Sequence, residues 1–284
     1  MPYTASHGIS KEEGIKMYSP FSINLKKVYT SPFPYEPGFE IALDNGKKLF
    51  KFVQYNDGDG DIPGLRGRIC YRVGANAANV SEQEQVTCDL SSTTVVGQME
   101  FAGILQPDVV LNSEGCWSQI IGPGEVDMWA SISQITRISA ALNKWLMPAV
   151  VDGAGVVNIT GDGLAMVAAA GSEMRIFAEL LADVDGTPAV ATSRGLLAID
   201  AGTTGAFIVG ETVTGGTSAD TAVIVERLRR GTTIYGLICS TFGGVAKSFH
   251  TATETLTGGT SGATGALTDK AVAVLASNYR LIRK

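Results

Sequence analysis

Three acids at alternate positions are the first place where residue type and spacing in this chain could do chemistry. Asn56-Asp-Gly-Asp-Gly-Asp61 sets Asp57, Asp59 and Asp61 two apart, as the opening of a calcium loop does. An EF-hand loop then requires Gly at its sixth position and a carboxylate at its twelfth. Those positions hold Ile62 and Arg68, so the stretch is expected to be a solvated turn. A nucleophilic triad requires a base, and the two histidines are His7 and His250. Neither sits in a nucleophile-elbow pattern with a Ser or Cys, and His250 reads as a surface strand residue. Zinc requires clustered Cys and His at short spacing, and Cys70, Cys88, Cys116 and Cys239 lie far apart with no C-x-x-C pair. Gly243-Gly-Val-Ala-Lys-Ser248 looks superficially like a phosphate loop but lacks the first glycine and the Gly-Lys pair. No G-x-G-x-x-G occurs, so there is no dinucleotide fingerprint.

Paired carboxylates have no local spacing to read, because the acids of a glycosidase can come from distant strands. Asp127, Glu173 and Glu179 are the acids to watch, with ordinary solvation as the alternative for each. The inventory yields no catalytic, cofactor-binding or metal residue, and the chain is expected not to be an enzyme. The four cysteines are expected to be buried thiols of a protein made in a reducing compartment, with a Cys70–Cys88 bridge as the competing arrangement.

Composition sets the frame that would have to hold any site. The chain has 284 residues, 45% apolar and 18% charged, with 34 glycines and a net charge of −6. A chain of that length buries roughly 75% of its unfolded surface, so disulfides are not required. The apolar and β-branched content is that of a folded chain. The longest basic block is Arg227-Leu-Arg-Arg230, too little to track a phosphate backbone, so no nucleic-acid partner is expected. No apolar run reaches the ~18 residues of a spanning helix, and Met1 to Gly8 lack the apolar centre of a signal peptide. No membrane partner is expected.

The elements read as short strands. Residues 1–38 form an extended arm in which Pro20, Pro32, Pro34 and Pro37 alternate with Tyr3, Tyr18, Phe21, Tyr29, Phe33 and Tyr35. Those aromatics must be covered, either by the chain's own core or by a neighbouring subunit. Ser10-Lys-Glu-Glu13 could cap one helical turn within the arm. Phe39–Leu43, Asp44-Asn-Gly46 and Lys47–Tyr55 spell a hairpin, since Asn-Gly adopts the positive angles of a tight turn. Strands follow at Arg68–Val73, Gln85–Leu90, Val95–Leu105 and Gly115–Ile121, with Gly97 and Gly103 as bulge positions. This spacing predicts a barrel or sandwich over 39–126, with Trp117 and Trp129 large enough to centre a core. Ser131–Met147 has helical spacing ended by Pro148, with short strands as the alternative. Residues 127–199 make a second β-rich region that holds this one short helix and could belong to the same domain.

Residues 200–284 contain a duplication. Glu211–Val223 reads E-T-V-T-G-G-T-S-A-D-T-A-V and Glu254–Ala266 reads E-T-L-T-G-G-T-S-G-A-T-G-A, identical at eight of thirteen positions. Phe207 precedes one copy and Phe249 the other. Thr and Val favour a pleated surface, and Gly215-Gly216 and Gly258-Gly259 favour a tight turn. Each copy reads as strand, turn, strand. The fold class is therefore all-β: small barrel or sandwich domains with a C-terminal duplicated hairpin module.

The module E-T-[VL]-T-G-G-T-S-x-x-T resembles a short β repeat of tailed-bacteriophage structural proteins, often F-x-x-G-E-x-[VI]-T-G-x-T-S-G-A-T. Phe207-Ile-Val-Gly-Glu211 fits that form, whereas Ala252-Thr253 stand where the second copy should have Gly. Gly115-Cys-Trp-Ser-Gln-Ile-Ile-Gly122 is similar to the G-x-W-x-Q-x-x-G strand of head-decoration proteins, and Val150–Leu181 is similar to small capsid-decoration barrels. The resemblance leaves the arm outside it and carries no catalytic residue. It implies a capsid decoration, or cement, protein on the capsid surface of the virion, assembled in the host cytoplasm. The implied partners are the major capsid protein and further copies of the chain, as in a trimer, with the arm strapping a neighbour. A tail, baseplate or receptor-binding protein is the alternative, and a polysaccharide- or peptidoglycan-cleaving enzyme is the third reading.

Overall fold

The computed structural model describes residues 23–56, 63–73, 85–88, 101–131, 145–148, 165–167, 177–181, 194–199, 203, 205–243, 254–267, 273–276 and 279–282. All regular structure among them is β, as expected from the short strand runs. The first hairpin joins β1 (Glu40–Leu43) to β2 (Lys48–Tyr55). Its turn forms because Asp44, Asn45 and Gly46 all take positive φ, at 56°, 56° and 83°, which Asn and Gly tolerate. Then come β3 (Gly64–Leu65), β4 (Ile69–Arg72), β5 (Gln85–Thr87), β6 (Phe101–Leu105), β7 (Val109–Val110) and β8 (Gly115–Pro123).

Five of these strands close a barrel in the order β2-β5-β4-β6-β8 and back to β2. Alternation along each strand fills it with Val53, Tyr55, Cys70, Val86, Leu105 and Cys116. The expected bulge at Gly103 is present: the β4–β6 register slips between Cys70↔Gly103 and Tyr71↔Phe101. Gly103 has φ 135°, and a Cβ there would lie 2.7 Å from Ser118 Oγ, so only glycine fits. All four cysteines are buried, and none is in a disulfide. Burial pushes the Cys70, Cys116 and Cys239 thiols up.

The outer face of β2 and β8 carries Phe50, Phe52 and Trp117, all fully buried. The arm covers them. Tyr29 forms a bridge with Gly115. Tyr29, Phe33 and Tyr35 meet the Phe52 ring edge-on with centroids 5.4–5.8 Å apart, and Tyr35 lies 5.1 Å from Trp117. These three aromatics therefore belong to the chain's own core. Tyr3, Tyr18, Phe21 and the Ser10–Glu13 cap lie outside the described residues, as do Gly97 and the Asp57–Asp61 turn.

The chain continues through β9 (Met128–Ser131), β10 (Trp145–Pro148), β11 (Ala165–Val167) and β12 (Ala178–Leu180). Residues 132–144 of the expected helix are outside the described residues, and its two ends lie in β9 and β10. The last strands are β13 (Gly195–Ala198), β14 (Thr212–Gly215), β15 (Thr221–Arg230), β16 (Thr233–Gly243), β17 (Thr255–Gly258), β18 (Thr264–Ala266), β19 (Ala273–Ala276) and β20 (Tyr279–Leu281).

A second ring forms here, in the order β13-β16-β15-β14-β17-β18. A bridge between Ile199 and Leu267 returns β18 to the end of β13 and closes it. Its core holds Phe207, Val213, Ala222, Ile224, Leu237 and Leu256. Between the rings lie Leu65, Val109, Trp129, Leu196, Leu228 and Ile238. Trp129 donates from Nε1 to the Arg66 carbonyl at 2.6 Å, so its polar edge is satisfied within that seam.

Trp117 anchors both the first barrel and the arm. Trp117→Ala should lower stability by about 3–5 kcal/mol in equilibrium urea denaturation. A loss below about 1 kcal/mol would contradict the packing described, since truncating a large core aromatic normally costs several times that.

Candidate functional site

Local sequence makes each repeat a hairpin, and tertiary pairing makes the two hairpins one unit. In the first copy Thr212, Val213 and Thr214 pair with Val223, Ala222 and Thr221. In the second copy Thr255, Leu256 and Thr257 pair with Ala266, Gly265 and Thr264. The turns are equivalent bond for bond. Gly215 N–H donates to the Asp220 carbonyl and Gly258 N–H to the Ala263 carbonyl, both at 2.8 Å. Ala219 and Gly262 each donate back to the first glycine of their turn at 3.0 Å. Both take left-handed φ, 56° and 67°.

The copies then join antiparallel through β14 and β17, with Val213↔Gly258, Thr214↔Thr257 and Gly215↔Leu256 in register. Gly216 N–H donates to the Thr255 carbonyl at 2.9 Å, and Gly259 N–H to the Thr212 carbonyl at 2.8 Å. An approximate two-fold axis passes between Thr214 and Thr257.

Each leading glutamate crosses that axis. Glu211 does not cap its own turn; its Oε2 accepts from the Thr260 and Ser261 N–H groups of the other copy at 3.0 and 2.8 Å. Its Oε1 accepts from the Ser261 hydroxyl at 2.8 Å and from the Ile208 N–H at 2.6 Å. Glu254 returns the contact, its Oε1 accepting from the Thr217 and Ser218 N–H groups at 3.0 and 2.6 Å. Both glutamates are buried. A turn that exposes several N–H groups on one side is a natural anion cradle, and here a carboxylate of the same chain fills each one.

Two glycines are explained by this exchange. A Cβ on Gly258 would sit 2.8 Å from Glu211 Oε1, and one on Gly215 would collide with Glu254 Oε1. Burial pushes the Glu211 carboxyl up, but the N–H donors of Ile208, Ser261 and Thr260 and the Ser261 hydroxyl outweigh it. The net value is below the usual carboxylate range.

The outward face of this unit is uncharged. Val213 and Leu256 point into the ring, while Thr212, Thr255 and Thr257 are exposed and Thr214 is half-buried between them. The turn residues Gly216, Thr217, Gly259 and Thr260 are exposed too.

Of the acids singled out for chemistry, Asp127 and Glu179 occupy different parts of the structure. Asp127 lines an open notch of about 210 Å³. Its neighbours there are Lys26, Arg66, Glu125, Arg194 and Glu226, with Trp129 as a wall. Some of its lining residues carry ion pairs: Arg66 binds Asp108 at 2.8 Å and Glu226 at 2.7 Å, and Glu125 binds Lys48 at 2.6 Å. Glu179 sits elsewhere, on β12 opposite Arg280 and Trp145. Glu173, His7 and His250 lie outside the described residues. Among the described residues no group of three or more His, Cys, Asp or Glu side chains could hold a metal ion, and no helix is long and apolar enough to cross a membrane.

The role of Glu211 and Glu254 was missed in the sequence. The signal was there, because Glu heads both copies, but a cap that reaches a turn more than 35 residues away has no local spacing to read. No protein family, curated protein or solved structure matches this chain.

The depressed Glu211 value sets a pH dependence. Its contribution is present above the ordinary glutamate value of 4.5 and is lost as pH falls through the lower folded value. Glu211→Gln should cost about 1–3 kcal/mol at pH 7 and should flatten the acid limb of a denaturation-versus-pH profile. An unchanged acid limb would remove Glu211 from the account.

Proposed function

We propose that this protein is a virion structural protein of the tailed-bacteriophage type, a capsid decoration or cement protein. It binds the major capsid protein and stabilises the head. One observation supports this reading: the duplicated hairpins, whose leading glutamates are spent inside the unit as caps on each other's turns. Such a unit is rigid, and its outer face of threonines and turn glycines carries no charge. A surface of that kind suits broad contact with a protein neighbour, where specific interfaces bury over ~1,000 Å². The protein would lie across junctions between capsid subunits and oppose their separation under internal pressure.

Residues 23–38 are committed to the chain's own barrel, so any strapping of a neighbour falls to residues 1–22. Purified heads lacking the protein should take it up to saturation, in high copy number by quantitative gel, and should then resist higher temperature. Absence of head binding, or a few copies confined to tails, would overturn the reading. A variant lacking residues 1–22 should fold but occupy heads less fully; equal occupancy would take the arm out of the mechanism.

A further inference from the structure

We infer that the hairpin is a homotypic docking unit: its recognition surface fits another hairpin of the same pattern, so a second copy of this chain can supply the partner. Seven of the eight identical positions lie in the first eight residues of each copy, Glu211–Ser218 and Glu254–Ser261. Those segments are the ones that face each other. They supply the crossing glutamates, the capped N–H groups and the β14–β17 ladder. The differences cluster beyond them, at Ala219/Gly262 and Asp220/Ala263 in the last residues of each turn and at Ala222/Gly265 and Val223/Ala266 on β15 and β18, which flank β14 and β17 away from the junction. Within the junction only Val213 and Leu256 differ, and both are buried apolar residues.

The contact is also isologous: Glu211 binds the turn that follows Glu254, and Glu254 binds the turn that follows Glu211. An isologous patch is complementary to itself by construction. A first-copy hairpin therefore offers another first-copy hairpin the glutamate, turn and ladder that it now finds in the second. Neither hairpin is complete alone, because its own glutamate cannot reach its own turn. Within one chain the internal partner wins by its high effective concentration. Chains that fold together, or whose hairpin pair has opened, exchange hairpins and become linked.

Thr214 and Thr257 face each other across the axis on the exposed side. Thr214→Cys chains and Thr257→Cys chains, each full length, are unfolded, mixed, refolded at high concentration and oxidised with glutathione disulfide. The doubly substituted chain should close an internal disulfide, which checks the geometry. Thr232→Cys, in the exposed turn between β15 and β16, reports random collision.

Exchange predicts a disulfide-linked species of twice 29.7 kDa in the mixture, well above the Thr232→Cys level. Light scattering of refolded wild-type chain should show a two-chain fraction that grows with concentration. Dimer at or below the Thr232→Cys level, or a one-chain mass at every refolding concentration, would overturn the inference.

Discussion

Each of the two glutamates in the C-terminal ring closes a turn that is not its own, and much of the ring's geometry follows from that exchange. A carboxylate buried without donors would cost several kcal/mol. Here the donors are backbone N–H groups that a tight turn leaves unpaired. Neither carboxylate reaches its turn donors until the two hairpins meet, so the exchange ties local turn geometry to long-range pairing. It fixes the β14–β17 register, because a slip by one residue would carry each carboxylate away from its turn. It also fixes Gly215 and Gly258, since a side chain at either would occupy the space of a carboxylate oxygen.

The first barrel is held by different means. Its interior is small and apolar, and its outer aromatic face is sealed by residues 23–39 of the same chain. The two rings share one continuous sheet and an apolar seam at Trp129. Ionic groups stay at the rim of that seam, where Arg66 bridges Asp108 on one side and Glu226 on the other. Partly exposed pairs of this sort contribute little to stability. The proposed decoration of a capsid would draw on the contact area that these two rings present.

The duplication bears on how such a protein assembles. The copies have kept the residues that face each other and diverged elsewhere, which is the pattern of an interface under a mutual constraint. A self-complementary hairpin held within one chain is one refolding event away from joining two chains.

The amino-acid sequence by itself determined the local elements. β-branched residues between glycine turns dictated strands, Asp44-Asn-Gly46 dictated its hairpin, the first-barrel glycine Gly103 marked its bulge, and the repeat announced two equivalent hairpins. These features act over a few residues, within reach of backbone sterics. Which strands close each ring was decided only in three dimensions, as was the burial of Tyr29, Phe33 and Tyr35 on their own barrel. The crossing of Glu211 and Glu254 was decided there too. Such contacts depend on groups brought together from distant parts of the chain, and a carboxylate reads the same in sequence whether it meets water or a turn 50 residues away.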